Sequence, residues 1–139
     1  MGGHMYIKKV LNYSYNYADY IVSDGKNELV CMCLSVPLHN GKEPKSGMKI
    51  TNIEVFSIDG LKISKITNPK YQNYNIKKYL FNFFKCKLKG KIIDSKLAIV
   101  KVYDFIISLG WEYPEGFSED FKEGDFIEFI ADRLDCEIS

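Results

Sequence analysis

Few side chains in this chain combine the type and spacing that catalysis or ligation requires. The histidines are His4 and His39. A Ser–His or Cys–His nucleophile needs an imidazole within hydrogen-bond reach. His39 lies in the breaker-rich run 37–47 (P-L-H-N-G-K-E-P-K-S-G), where a solvated side chain is the simpler expectation. The phosphate-loop, dinucleotide, H-E-x-x-H and G-x-S-x-G patterns do not occur. Cys31, Cys33, Cys86 and Cys136 form no C-x-x-C pair and match no common zinc spacing. They are expected to be free, buried thiols, because cysteine packs as a small hydrophobe. No catalytic residue, metal ligand or cofactor is assigned.

The carboxylates form three groups. Glu119, Asp120, Glu123 and Asp125 crowd one loop, Glu128 alternates with Phe126 and Ile130, and Asp132 and Asp135 flank Arg133. Paired carboxylates suit acid–base work or a divalent cation, so an enzyme using acidic residues near the C-terminus is one reading. The alternative ties Arg133 to its aspartates as a pin for the chain end and leaves the loop as a solvated acidic face. That face is a candidate for contact with a basic protein partner.

The stretch 79–93 (Y-L-F-N-F-F-K-C-K-L-K-G-K-I-I) splits by parity. In a strand, successive side chains point to opposite faces. One face then carries Leu80, Phe84, Cys86, Leu88 and Ile92, and the other Tyr79, Phe81, Phe83, Lys85, Lys87, Lys89 and Lys91. Aromatic rings beside lysines can stack bases and follow phosphates, or the lysines can guard a strand edge against aggregation. A rival helical stripe runs through Ile76, Tyr79, Leu80, Phe83, Phe84 and Leu88. The strict lysine alternation and the β-branched Ile92-Ile93 favour a strand from residue 83, with 72–82 open to either form.

These groups must be positioned by a chain of 139 residues, 46% apolar and 27% charged. Such usage describes one globular domain with a sizeable core. Residues 1–4 read as a cloning scar before a natural start at Met5, leaving a single domain over 5–139. The net charge of +1 hides an asymmetry: positive charge prevails through residue 103 and negative charge after it. Either the two parts attract each other, or the surface is bipolar and steers a charged partner. No bilayer-spanning apolar run occurs in the sequence and no leader is expected, so a reducing cytoplasm is the expectation. Abundant Ile, Lys, Asn and Tyr with a single arginine fit an AT-rich bacterial genome.

Strand-like runs cover residues 6–13, 18–23, 28–36, 48–57, 61–66, 83–93, 97–109 and 126–131. Asp24-Gly25 and Asp59-Gly60 are hairpin signals. Residues 28–36 are nearly all apolar and read as a central strand covered on both faces. The aromatic-rich loop 110–125 is expected to pack down. The fold class is therefore all-β, or mainly β with one short helix: an OB-like barrel or a compact sandwich of seven to eight strands. The order of strand, Asp-Gly hairpin, strand, long loop, strand, possible helix and hairpin, carried by residues 18–36 and the closing 124–131, resembles the OB-fold, from which the second hairpin at 61–66 and the long loop after Leu109 depart. That resemblance implies a face for oligonucleotides or oligosaccharides. The leading expectation is a non-catalytic binding module, a small accessory protein contacting a protein partner. Binding of single-stranded nucleic acid on the aromatic-lysine strand is the alternative.

Overall fold

The computed structural model describes residues 4–13, 18–33, 44–69, 74, 85–109 and 116–138. Ten strands and one short helix are present: β1 (Tyr6–Tyr13), β2 (Ala18–Ser23), β3 (Glu28–Cys33), β4 (Ile50–Phe56), β5 (Lys62–Ile66), β6 (Cys86–Asp94), β7 (Ile99–Val102), β8 (Phe105–Ser108), α1 (Phe117–Asp120), β9 (Phe126–Ala131) and β10 (Arg133–Ile138). They form one mixed sheet in the order β1-β2-β3-β10-β4-β8-β7-β6-β9-β5. The protein is thus mainly β, with two more strands than the upper count expected from the sequence.

The extra strands have local causes. The apolar run 97–109 is two strands, because the chain turns at Tyr103-Asp104 with Tyr103 at φ 53. The last residues add β10, which inserts between β3 and β4. The turn at Asp59-Gly60 forms, with Gly60 at φ 85. It joins strands that do not pair: β5 leaves β4 and hydrogen-bonds to β9.

The sheet is not a closed barrel; β1 and β5 are its two edges. The start of β1 nevertheless bends back toward β4. Tyr6 bridges Lys49, Ile7 N–H donates to the Met48 carbonyl, and Ile50 N–H donates to the Met5 carbonyl.

Core formation follows side-chain parity. In β6, Cys86, Leu88, Gly90 and Ile92 are buried, while Lys85, Lys87 and Lys91 are exposed and Lys89 is half-buried. In β9 the buried set is Ile127, Phe129 and Ala131. In β10 it is Leu134, Cys136 and Ile138. β3 is a central strand as expected, with Leu29, Val30, Cys31 and Cys33 buried. Its seam to β10 is parallel, through Met32 and Asp135. The Val30 N–H donates to the Tyr74 hydroxyl, which serves a backbone group that a full ladder would otherwise satisfy. Phe117 and Phe121 are buried at α1 with ring centroids 5.1 Å apart. This part of the 110–125 loop packs down as expected.

Asp24 ties the two halves of the sheet together. Its Oδ1 accepts from Lys26 N–H at 2.9 Å and Asn27 N–H at 2.7 Å, closing the β2–β3 turn. Its Oδ2 accepts from Asp104 N–H at 3.0 Å, in the β7–β8 turn. Burial opposes the charged form. The donors from Asn27, Lys26 and Asp104 outweigh it and hold the carboxyl below the ordinary range. The Asp24 charge in turn adds to burial in raising the Tyr103 phenol.

Candidate functional site

The lysine strand is where parity puts it, on the outer face of β6. Antiparallel pairing with β9 sets Lys87 opposite Ile130, Lys89 opposite Glu128 and Lys91 opposite Phe126. Two of these lysines reach acids from the carboxylate-rich end of the chain. Lys87 Nζ lies 3.5 Å from Glu128, and Lys85 Nζ lies 3.9 Å from Asp132. Lys91 Nζ sits 5.9 Å from the Phe126 ring centroid. Exposed pairs of this kind contribute little stability, but they spend the positive charge locally. Glu128, expected to face water, is half-buried between Ser64 of β5 and Lys89 of β6. The aromatic part of the candidate face, Tyr79, Phe81 and Phe83, lies outside the described residues, as does His39.

The C-terminal carboxylates divide. Arg133 forms a fork with Asp135, Nε to Oδ1 at 2.5 Å and Nη2 to Oδ2 at 3.1 Å. Its guanidinium stacks 4.2 Å from the Phe56 ring centroid. The pin is therefore Arg133 with Asp135 and Phe56, which fastens β10 to β4. Asp132 faces elsewhere, accepting from the Ile58 N–H at 2.7 Å. Beside it a shallow cleft of about 60 Å³ is lined by Ser57, Asp59, Lys62, Lys85 and Ile130. Its charges balance. Sequence reading missed it because it forms where three non-adjacent turns and strand ends meet.

The acidic loop is a corner made by α1 and the turn after it. Glu119, Asp120 and Glu123 are exposed. Asp125 is half-buried and held: Lys122 N–H donates to its Oδ2 at 2.8 Å, and Lys65 Nζ lies 3.4 Å away. The Lys122 N–H, helped by Lys65, holds this carboxyl below its usual range against the opposing effect of burial. Lys122 Nζ is also engaged, by the Ser118 carbonyl. Among the described residues, no cation lies within ion-pair reach of Glu119 or Glu123. The four candidates therefore separate into three exposed carboxylates and one that braces the turn.

All four cysteines are free and buried. Burial pushes the Cys86 thiol up to about 12. A hydrogen bond with Cys31, followed by burial, raises Cys136 well above its ordinary value. A thiolate is the reactive form. Native protein at pH 8 should therefore release less than one equivalent of thiol to a disulfide reagent over minutes, and denatured protein all four. Rapid native release of two or more would show that these thiols are neither buried nor suppressed. Among the described residues, no three His, Cys, Asp or Glu side chains converge as a metal site requires. No helix among them is long and apolar enough to cross a membrane.

No protein-family model, no curated protein and no solved structure matches the chain.

Proposed function

We propose that this chain is a non-catalytic binding module, a small bacterial accessory protein that engages a basic protein partner through the acidic corner of α1. The distribution of uncompensated charge carries this reading. Lys87 of β6 and Lys85 just before it meet carboxylates of β9 and the residue after it, whereas Glu119 and Glu123 are exposed with no cation in ion-pair reach among the described residues. Exposed charge of one sign steers an oppositely charged surface and sets its orientation. Four free buried thiols suit the reducing cytoplasm.

The first five places in the sheet support an OB-like framework. The order β1-β2-β3-β10-β4, a parallel β3–β10 seam and the return of β1 onto Lys49 follow the strand order of an OB barrel. On this reading the block β5 to β9 takes the place of the last OB loop, one of the regions OB-folds use for ligands. Both candidate surfaces lie in that block. The β2–β3 face, which OB-folds offer to nucleic acid, carries no Lys or Arg of its own; Asp19 on it is buried and Glu28 pairs with Lys8, a poor surface for a polyanion. This favours a protein partner over nucleic acid.

The test replaces Glu119, Asp120 and Glu123 by their amides. Tagged parent protein should retain a basic protein from lysate at low salt and lose it as salt rises. The triple variant should lose most of that capture. Equal capture by parent and variant would sink the reading. Nucleic acid, the alternative, predicts that an oligonucleotide binds at low salt and that Lys87→Ala with Lys89→Ala flattens the salt dependence. Absence of oligonucleotide binding at low salt removes it.

A further inference from the structure

The hairpin joining β6 to β7 ends in apolar side chains that the core does not take up. Ile93 is 42% exposed and Leu97 63% exposed. Ile93 sits at a register shift, between the pairs Ile92↔Val100 and Asp94↔Ile99. The turn that carries Leu97 is held at both ends. Asp94 Oδ1 accepts from Leu97 N–H at 3.0 Å, and the Ala98 carbonyl accepts from Leu109 N–H at 2.8 Å. An apolar side chain on a braced turn loses less entropy when a partner covers it than one on a loose loop.

This hairpin end adjoins the acidic corner. Ile92 N–H donates to the Asp125 carbonyl at 2.9 Å, and Gly124 N–H donates to the Ile92 carbonyl at 2.8 Å. Ile93 and Glu123, each one residue further along, are therefore neighbours. The carboxylates of Asp94, Glu119, Asp120, Glu123 and Asp125 face the ammonium groups of Lys65, Lys91, Lys96 and Lys122 there, five against four, and Lys65 is taken up by Asp125. Exposed apolar anchors beside carboxylates with no cation in ion-pair reach among the described residues, here Glu119 and Glu123, are the make-up of a protein-docking surface.

We infer that this corner docks a basic amphipathic segment of a protein partner, with apolar side chains covering Ile93 and Leu97 and cationic groups reaching Glu119 and Glu123. The inference rests on the acidic-corner reading and adds the apolar anchors to it. Charge complementarity selects the occupant. A second copy meeting this patch across a two-fold axis would set like carboxylates together, and an anionic membrane would be repelled.

The test uses the full chain, labelled with nitrogen-15, and two synthetic peptides of equal positive charge. One alternates Lys with Leu as an amphipathic helix; the other carries Ser in place of Leu. The Leu peptide should shift the amides of Ile93, Leu97 and residues 119–123, and should bind about tenfold more tightly than the Ser peptide, the gain expected from burying one or two leucine side chains. Leu97→Ser should remove most of that advantage and leave the Ser peptide unaffected. Ile93→Thr provides an independent second variant. Glu119→Gln with Glu123→Gln should weaken both peptides. If the glutamine variant weakens binding and neither apolar variant does, the anchors are refuted while the acidic corner stands. If neither peptide binds, or the shifts fall on another face, both readings are overturned.

Discussion

Replacing Gly90 by alanine should destabilise the fold by about 3 kcal/mol, as an over-packed core does, and lower Tm by roughly 10 °C for a domain of this size. Gly90 is buried in β6, opposite Ile127 and against β7. A Cβ built there would lie 2.5 Å from Val100 Cγ1, 2.7 Å from the Lys101 carbonyl oxygen and 2.9 Å from Val102 Cγ2. Two of those atoms belong to β-branched side chains with restricted χ1. The third is backbone in a paired strand. None can withdraw without loosening the β6–β7 ladder. Val100→Ala removes the nearest atom, so the double variant should lose less stability than the two single losses combined. Thermal unfolding followed by circular dichroism reads both. A Gly90→Ala protein melting within 1 °C of the parent would show that β7 yields freely.

Asp24→Ala should cost about 2 kcal/mol, since it leaves three part-buried backbone donors without the carboxylate that had satisfied them. Asp24 is 9% exposed and serves three backbone N–H groups in two turns separated by 80 positions in the chain. Its removal should loosen the β2–β3 turn and the β7–β8 turn together. Amide hydrogen exchange should accelerate at Lys26, Asn27 and Asp104, whereas a purely local effect would spare Asp104. The pH dependence has a definite sign. The folded-state pKa is depressed, so the stabilisation is present above the unfolded value. It is lost as pH falls below roughly 4, through the folded value. In Asp24→Asn the acid-side loss of stability should be smaller than in the parent. An identical acid profile would remove Asp24 as the coupling group.

The two variants mark the boundary between what each level of description decides. The sequence determined the β class and the faces of the strands, because a period of two is a property of any extended chain. The alternation of Cys86, Leu88 and Ile92 with Lys85, Lys87, Lys89 and Lys91 placed the core and solvent faces of β6 correctly. The turn residues at Asp24-Gly25, Asp59-Gly60 and Gly124 were legible too, since positive φ favours glycine. The Arg133 pin was legible in part: adjacency named both Asp132 and Asp135, and geometry chose Asp135.

Tertiary structure decided what lies beside what. Nothing local says that β10 enters between β3 and β4, that β5 abandons β4 for β9, or that one apolar run folds into β7 and β8. Those choices depend on burying several strand faces at once. The same holds for the charges. The sequence shows a basic part and an acidic tail, but only the folded structure reveals that Glu128 and Asp132 meet lysines while, among the described residues, Glu119 and Glu123 do not. Gly90 is the sharpest instance: only the approach of Val100, Lys101 and Val102, none of them near it in the chain's local pattern, makes it obligatory. Pairwise distances between residues far apart in the chain arise from the joint packing of all the strands, and no window of sequence contains them.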